Sequence, residues 1–176
     1  MRLDAFQTER LNVQNRTSQL DDPAQRAALV KDLTAILTPN VLRHLPEPLH
    51  LPKGGMAVND WITDRAAESD VMTLVDRTDG AVLGLLILAV FPDAAGGSTM
   101  HLGYLLGEQA WGKGYASELI KGLILCLQNQ KEPIELLGGV ERENPASAKV
   151  LVKNGFEIAP EFATETSDMF RRVIAP

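Results

Sequence analysis

A turn with two glycines and a lysine is the part of this sequence best suited to bind an anion. Its residues are Trp111, Gly112, Lys113, Gly114, Tyr115 and Ala116. The turn follows an apolar run that ends at Leu106 and leads directly into a helix. Glycines let backbone N–H groups approach a phosphate, and the first turn of a helix adds unpaired N–H groups and the positive end of its dipole. The pattern predicts a phosphate site, but a purely structural strand-to-helix turn would also account for it.

The spacing of the glycines matches neither of two common phosphate motifs. A P-loop requires Gly-Lys followed by Ser or Thr, and a dinucleotide-binding turn requires a third glycine. Here Gly114 follows Lys113, and Ser117 stands where the third glycine would be expected. A nucleotide-binding domain that uses this turn stays an alternative, and it predicts a Mg²⁺-dependent affinity for ATP or GTP.

A second motif opens a short helix further along the chain. Asn144 precedes Pro145, Ser147 follows, and the helix closes near Gly155. Asparagine is a good N-cap and proline suits the first helical position, so capping alone would explain Asn144. Ser147 is either an exposed helical serine or a hydroxyl donor at a site.

Four segments carry a resemblance to a known family. They read Gly-Tyr-Leu-Leu at 103–106, Trp-Gly-Lys-Gly-Tyr-Ala at 111–116, Asn-Pro-Ala-Ser at 144–147 and Asn-Gly-Phe at 154–156. Together they resemble the GNAT superfamily of acyl-CoA-dependent N-acetyltransferases. The opening Thr-Glu-Arg-Leu at 8–11 is similar to the start of one branch, the ribosomal-protein N-terminal acetyltransferases.

This resemblance implies a fold and an activity. The fold is α/β (α+β), with a mixed, mostly antiparallel sheet that is splayed near Leu106 and flanked by helices. Residues 1–176 are expected to form a single N-acetyltransferase domain. The activity is direct transfer of an acetyl group from acetyl-CoA to a primary amine, without a metal ion.

The resemblance also implies roles for particular residues. Backbone amides across 111–116 hold the pyrophosphate of coenzyme A, reinforced by Lys113, and the main chain must do most of this binding because many relatives have Gln or Arg in place of Trp111. The backbone N–H at Leu106 meets the acyl carbonyl or the pantetheine arm, which Asn144 also contacts. Ser147 donates a hydrogen bond to the thioester sulfur or reprotonates the thiolate. Many relatives have a tyrosine as general acid later in this helix, where this sequence has leucine.

The candidate base is His101, in the strand before the glycine turn. Histidine titrates near neutral pH and could take a proton directly or through water, whereas a single strand histidine is often only a partly buried polar residue. At pH 7 an α-amine is roughly one-sixth neutral, and a lysine amine only roughly 0.04% neutral. A weak base therefore suits an α-amine, which predicts a protein or peptide N-terminus as acceptor. Small amines stay open, as does a non-catalytic acyl-CoA-binding module.

Composition restricts the class of protein. The 176 residues are 45% hydrophobic and 23% charged, which is ordinary for a globular domain. A net charge of −6 argues against nucleic acid as a ligand. The single cysteine, Cys126, cannot form an internal disulfide. The first residues lack the apolar core of a signal peptide. The apolar run over residues 81–91 is too short to span a membrane. We expect a cytoplasmic monomer or homodimer.

Hydrophobic spacing predicts the elements that position these residues. Helices are expected over 22–37, 57–68, 116–127 and a short stretch after 144, with a loop or broken helix over 41–55. Strands are expected over 11–14, 71–75, 81–91, 99–106 and 134–140, with Thr-Asp-Gly at 78–80 as a hairpin turn and a terminal hairpin formed by 156–159 and 169–174. The 81–91 strand is apolar on both faces, so it should be central.

Overall fold

The computed structural model describes residues 3–17, 20–45, 49–51, 57–92 and 98–175. Within them, eight strands form one sheet in the order β1-β2-β3-β4-β5-β6-β8-β7. The strands are β1 Ala5–Gln7, β2 Leu11–Asn15, β3 Asp70–Asp76, β4 Val82–Pro92, β5 Ser98–Leu106, β6 Ile134–Glu141, β7 Glu157–Ile158 and β8 Ser167–Ile174. The helices are α1 Pro23–Ile36, α2 Pro39–Arg43, α3 Ala57–Glu68, α4 Tyr115–Leu127 and α5 Pro145–Lys153, with short 3₁₀ turns at Glu108–Ala110 and Pro160–Phe162.

The sheet splits between its two parallel strands. Strands β5 and β6 pair in parallel from Ser98 opposite Ile134 to Leu102 opposite Gly138, and the pairing ends there. Strand β5 nevertheless continues to Leu106 and stays paired with β4 along its other edge. The other neighbouring strands pair antiparallel. The expected mixed, splayed sheet is confirmed, and the split begins at Gly103.

Two apolar cores cover the two faces of the sheet. Helices α4 and α5 pack on one face, where the buried side of α4 consists of Leu119, Ile120, Leu123, Ile124 and Leu127. This is the helical face that the spacing of apolar residues predicts. Helices α1, α2 and α3 contribute to the core on the opposite face. Strand β4 alternates between the two cores, Leu86 in one and Leu85 in the other, so its predicted central position is confirmed.

The short elements of the chain complete the comparison with the sequence-based expectations. Helix α1 ends at Ile36, next to the expected end at 37, and Thr38 then caps a new helix by accepting a hydrogen bond from the Val41 N–H, with proline in the first position of that helix. The segment 41–55, expected to be a loop or a broken helix, begins within helix α2, and part of it lies outside the described residues. Strand β1 was not predicted, because three residues are too few to show a period. The terminal hairpin is confirmed by the pairing of β7 with β8.

Candidate active site

The glycine turn has a backbone conformation that suits an anion site. Gly112 and Gly114 have φ of 70° and 83°, in the left-handed region that residues with a Cβ rarely adopt. Gly114 is the N-cap of α4, and within the described residues no side chain caps this helix. The first N–H groups of a helix lack intrahelical partners, so an uncapped start leaves them available to an anion.

The aromatic side chains of the turn have hydrogen-bond partners of their own. The Trp111 indole N–H donates to the Leu106 carbonyl oxygen at 2.8 Å and closes the turn onto strand β5. Its ring meets the edge of His44 at 5.9 Å between centroids. The Tyr115 hydroxyl donates to Asp76 at 2.7 Å. Trp111 therefore has a structural partner of its own, in keeping with binding by the main chain.

A first cavity of about 430 Å³ lies between the end of β5 and the starts of α4 and α5. It brings together the predicted catalytic Ser147 and most of the residues predicted to bind the cofactor, namely Leu106, Trp111, Gly112, Gly114, Tyr115, Ala116 and Asn144. Lys113 is exposed and does not line it. Positions from two separate sequence motifs thus share one cavity.

A second cavity of about 700 Å³ is lined mainly by residues of β5, β6 and the segment 164–167. Its wall is more polar and carries three carboxylates, Glu68, Glu141 and Glu165, and one guanidinium, Arg65. The two cavities share the lining residues His44, Leu45, Tyr104, Asn144 and Ser147. A group that enters from one cavity can therefore meet a group that enters from the other where β5 faces α5.

A tyrosine and a serine form a hydrogen-bonded pair at this junction. The hydroxyls of Tyr104 and Ser147 lie 2.7 Å apart. The Ser147 N–H donates to the Asn144 side-chain oxygen at 3.1 Å, which fixes the position of Ser147 in the first turn of α5. The capping interpretation of Asn144 is confirmed. Burial raises the pKa of Tyr104 above its ordinary value, and the hydrogen bond with Ser147 opposes this only in part. Tyr104 therefore keeps its proton at neutral pH.

Tyr104 is a site residue that the sequence reasoning missed. It appeared only as part of the Gly-Tyr-Leu-Leu run, and nothing in the sequence connects it with Ser147. The available signal was its polar tip within an apolar strand, since the hydroxyl of a buried tyrosine usually has a hydrogen-bond partner.

His101 lies apart from this pair. It is exposed on β5, and its ring meets the edge of Phe91 at 5.3 Å between centroids. It lines the second cavity and is not among the residues that line the first. Side chains alternate between the faces of a strand, so His101 and Tyr104, an odd number of positions apart, project to opposite faces of β5.

Neither a metal site nor a membrane-spanning helix is found among the described residues. Within the described residues, no three His, Cys, Asp or Glu side chains come together in a way that could hold a metal ion. The helices in the same part of the chain are too short or too polar to cross a membrane.

Comparison with known proteins identifies the family of the chain. A family model described as "Acetyltransferase (GNAT) domain" matches residues 23–157. The chain belongs to the GNAT acetyltransferase family. No curated protein matches the sequence significantly.

Solved structures share the fold of this GNAT protein at low sequence identity. RimL, a ribosomal alpha-N-protein acetyltransferase in complex with coenzyme A, is 14% identical with a TM-score of 0.73, over 97% of this chain and 98% of that one. A ribosomal-protein alanine acetyltransferase from Vibrio fischeri is 16% identical with a TM-score of 0.68, over 97% and 96%. A phosphinothricin acetyltransferase from Sinorhizobium meliloti in complex with acetyl-CoA is 16% identical with a TM-score of 0.62, over 85% of each chain.

Proposed function

We propose that this GNAT protein transfers the acetyl group of acetyl-CoA directly to a primary amine, and that the acceptor is a protein or peptide N-terminus. The observation that carries the proposal is the meeting of two cavities at Tyr104 and Ser147, beside the split between β5 and β6. The first cavity has the features of a cofactor site, and the second has room for an acceptor amine.

The first cavity suits coenzyme A from its diphosphate to its acyl end. The diphosphate would lie against the backbone N–H groups of 111–116, where the left-handed glycines and the uncapped start of α4 favour negative charge. Lys113 adds a nearby positive charge from the exposed side of the turn. The pantetheine arm would follow the free edge of β5 toward Asn144, with the backbone N–H of Leu106 close to the acyl end. The thioester would then lie beside Ser147.

The transfer moves one acyl group and one proton. The lone pair of the neutral amine attacks the thioester carbonyl, the C–N bond forms and the C–S bond breaks. The amine loses a proton to His101 or to water, and the departing thiolate takes one from water, directly or through the Ser147 hydroxyl. Ser147 stabilises the thiolate by donating a hydrogen bond to sulfur, and its oxygen can accept a hydrogen bond at the same time. Tyr104, protonated and 2.7 Å away, is the group that can donate to it.

The second cavity supports an amine acceptor. Three carboxylates and one guanidinium on its wall make the cavity more attractive to an ammonium group than to a carboxylate. An α-amine needs only a weak base, which suits a site whose base candidate is one exposed histidine. The described relatives RimL and the Vibrio fischeri enzyme are named as ribosomal-protein acetyltransferases, which supports a protein acceptor here. The volume of about 700 Å³ also lies in the range of small-molecule sites, so a small amine is the second candidate.

A matched panel of acceptors tests the proposal. Release of coenzyme A is followed with acetyl-CoA and three acceptors: a peptide with a free N-terminus, the same peptide blocked at its N-terminus but carrying one lysine, and small amines. We expect turnover with the free N-terminus and little with the blocked peptide. Turnover with small amines alone would move the assignment to the second candidate.

Calorimetric titration with acetyl-CoA, coenzyme A and ATP completes this test. Micromolar binding of both CoA species without binding of ATP is expected. Binding without turnover on any acceptor would indicate a regulatory acyl-CoA-binding module. No binding of either CoA species would refute the cofactor assignment.

A further inference from the structure

An arginine near the start of the chain contacts the glycine turn through a backbone carbonyl. Arg10 lies in the connection between β1 and β2, within the Thr-Glu-Arg-Leu motif of residues 8–11. We propose that Arg10 is a positioning residue for the cofactor, which turns the backbone N–H of Gly114 toward the diphosphate by holding the preceding carbonyl away from it. The proposal rests on the proposed function, because it needs a diphosphate at the turn.

The guanidinium of Arg10 makes three separate contacts with this region. Its Nε donates to the Glu118 carboxylate at 2.7 Å, and its Nη1 donates to the Lys113 carbonyl oxygen at 3.0 Å. The same guanidinium lies 4.3 Å from the centre of the Tyr115 ring, within the range of a cation–π interaction. One side chain thus touches the turn, its first helical residue and the first turn of α4.

The contact with the Lys113 carbonyl has a direct consequence for the anion site. A trans peptide unit is planar, so its C=O and N–H point in opposite directions. When Arg10 holds the Lys113 oxygen on the outside of the turn, the N–H of Gly114 in the same peptide unit points the other way. A carbonyl that rotated inward would instead place a partial negative charge against the phosphates. The φ of 83° at Gly114 allows this arrangement.

The carboxylate that holds Arg10 is itself held in place. Glu118 accepts the backbone N–H of Arg10 at 2.7 Å and the hydroxyl of Thr8 at 2.5 Å. Burial by itself would raise the pKa of Glu118, but the hydrogen bonds from Thr8 and Arg10 lower it below its ordinary value. The group therefore stays ionised at neutral pH, and the pair with Arg10 persists under assay conditions.

Tyr115 provides a second anchor for the same turn. Its ring packs on Arg10 while its hydroxyl donates to Asp76, at the end of β3. The turn is thereby fastened to the β1–β2 connection and to the end of β3, which belong to a part of the chain far from it in sequence. This arrangement explains why Arg10 can act on the anion site without lining the cavity.

A truncated thioester separates this role from a purely structural one. Acetyl-CoA has a diphosphate, whereas the acetyl thioester of N-acetylcysteamine has the same reacting group and no phosphate. For Arg10→Ala we expect KM for acetyl-CoA to rise by about 10- to 100-fold with kcat within about twofold. The variant loses the charge-assisted contacts with Glu118 and the Lys113 carbonyl, so the backbone N–H of Gly114 is no longer held toward the diphosphate. With the truncated thioester, kcat/KM should stay within about twofold of wild type.

Arg77→Ala is the matched control. Arg77 donates to the backbone oxygens of Thr8 and Glu9, so its loss removes the same charge and loosens the same β1–β2 connection without touching the turn. We expect wild-type kinetics with both thioesters. Arg10→Lys should recover only part of the affinity for acetyl-CoA, since an ammonium lacks the fork that reaches Glu118 and the Lys113 carbonyl together.

The outcomes are distinct. Equal losses with both thioesters, or no loss with acetyl-CoA, would overturn the proposal. If Arg10→Ala lacks a cooperative thermal transition, the ratio of the two thioesters measured with Arg10→Lys decides in its place. If the wild-type protein consumes neither thioester with any amine, the proposed function is refuted instead. Calorimetry then decides the role of Arg10, by comparing the affinity of Arg10→Lys for coenzyme A with its affinity for pantetheine.

Discussion

Replacing Tyr104 with phenylalanine removes one oxygen from the junction of the two cavities and leaves the ring in place. The lost interaction is the 2.7 Å hydrogen bond with Ser147. A single hydrogen bond contributes about 1 kcal/mol to stability, so the variant should fold with a free energy of unfolding within about 1 kcal/mol of wild type. The effect on catalysis should be larger, because the Ser147 hydroxyl loses the donor that directs its proton toward sulfur.

We expect kcat of Tyr104→Phe to fall by about 10- to 100-fold, equal to about 1.4–2.8 kcal/mol of transition-state stabilisation. KM for acetyl-CoA should change by about twofold or less, since the substitution leaves the glycine turn unchanged. The assay is single-turnover release of coenzyme A with a peptide acceptor, which isolates the chemical step from product release.

A double-mutant cycle with Ser147→Ala makes this reasoning falsifiable. Tyr104 acts through Ser147 in the proposal, so the double variant should be no slower than Ser147→Ala alone. Losses that multiply, with each variant slowing the enzyme independently of the other, would show that Tyr104 acts by another route. A wild-type rate in Tyr104→Phe would remove it from the mechanism.

Three further predictions concern the base, the pH profile and the sheet. His101→Ala should keep its affinity for acetyl-CoA by calorimetry and lose about 10²-fold in kcat, and a wild-type rate would leave water as the base. Burial raises the pKa of Tyr104 above its ordinary 10.0, and the group is needed in its protonated form, so kcat should hold its plateau up to pH 10 and fall only above it; a fall near pH 8 would contradict this. Gly84→Ala places a Cβ 2.0 Å from the Leu105 carbonyl oxygen and should cost about 3 kcal/mol or more in thermal unfolding. Gly80→Ala, at φ 75° with open space around the Cβ, should cost about 1–2 kcal/mol, and equal costs would refute the steric argument.

Local sequence patterns predicted the elements that depend on neighbours in the chain. The apolar spacing of α4 required one buried face, and that face is buried. The left-handed backbone at Gly112 and Gly114 agrees with the expectation that a turn rich in glycine lets amides approach an anion. Asn144 followed by Pro145 predicted a helix start, and the Asn144 side chain caps it. In each case the decisive interactions lie within a few residues, so the sequence alone contains them.

The short elements could not be predicted in the same way. Helix α2 has five residues and strand β1 has three, which is too little for a hydrophobic period to appear. The α2 helix is further tied down by a distant group, since Thr38 and Asn40 both donate to the Glu108 carboxylate beyond strand β5. Such elements depend on tertiary contacts for their stability.

By itself, the sequence determined the class of fold, the glycine turn that leads into a helix, and the four segments that resemble one family. Only the tertiary structure decided which side chains meet. It placed Tyr104 against Ser147 across 43 positions of sequence and Arg10 against the Lys113 carbonyl across 103. It also set His101 apart from that pair and started the split at Gly103. Contacts of this kind follow from the pairing of strands and the packing of helices on them, and no local pattern in the chain encodes the distance between two residues so far apart.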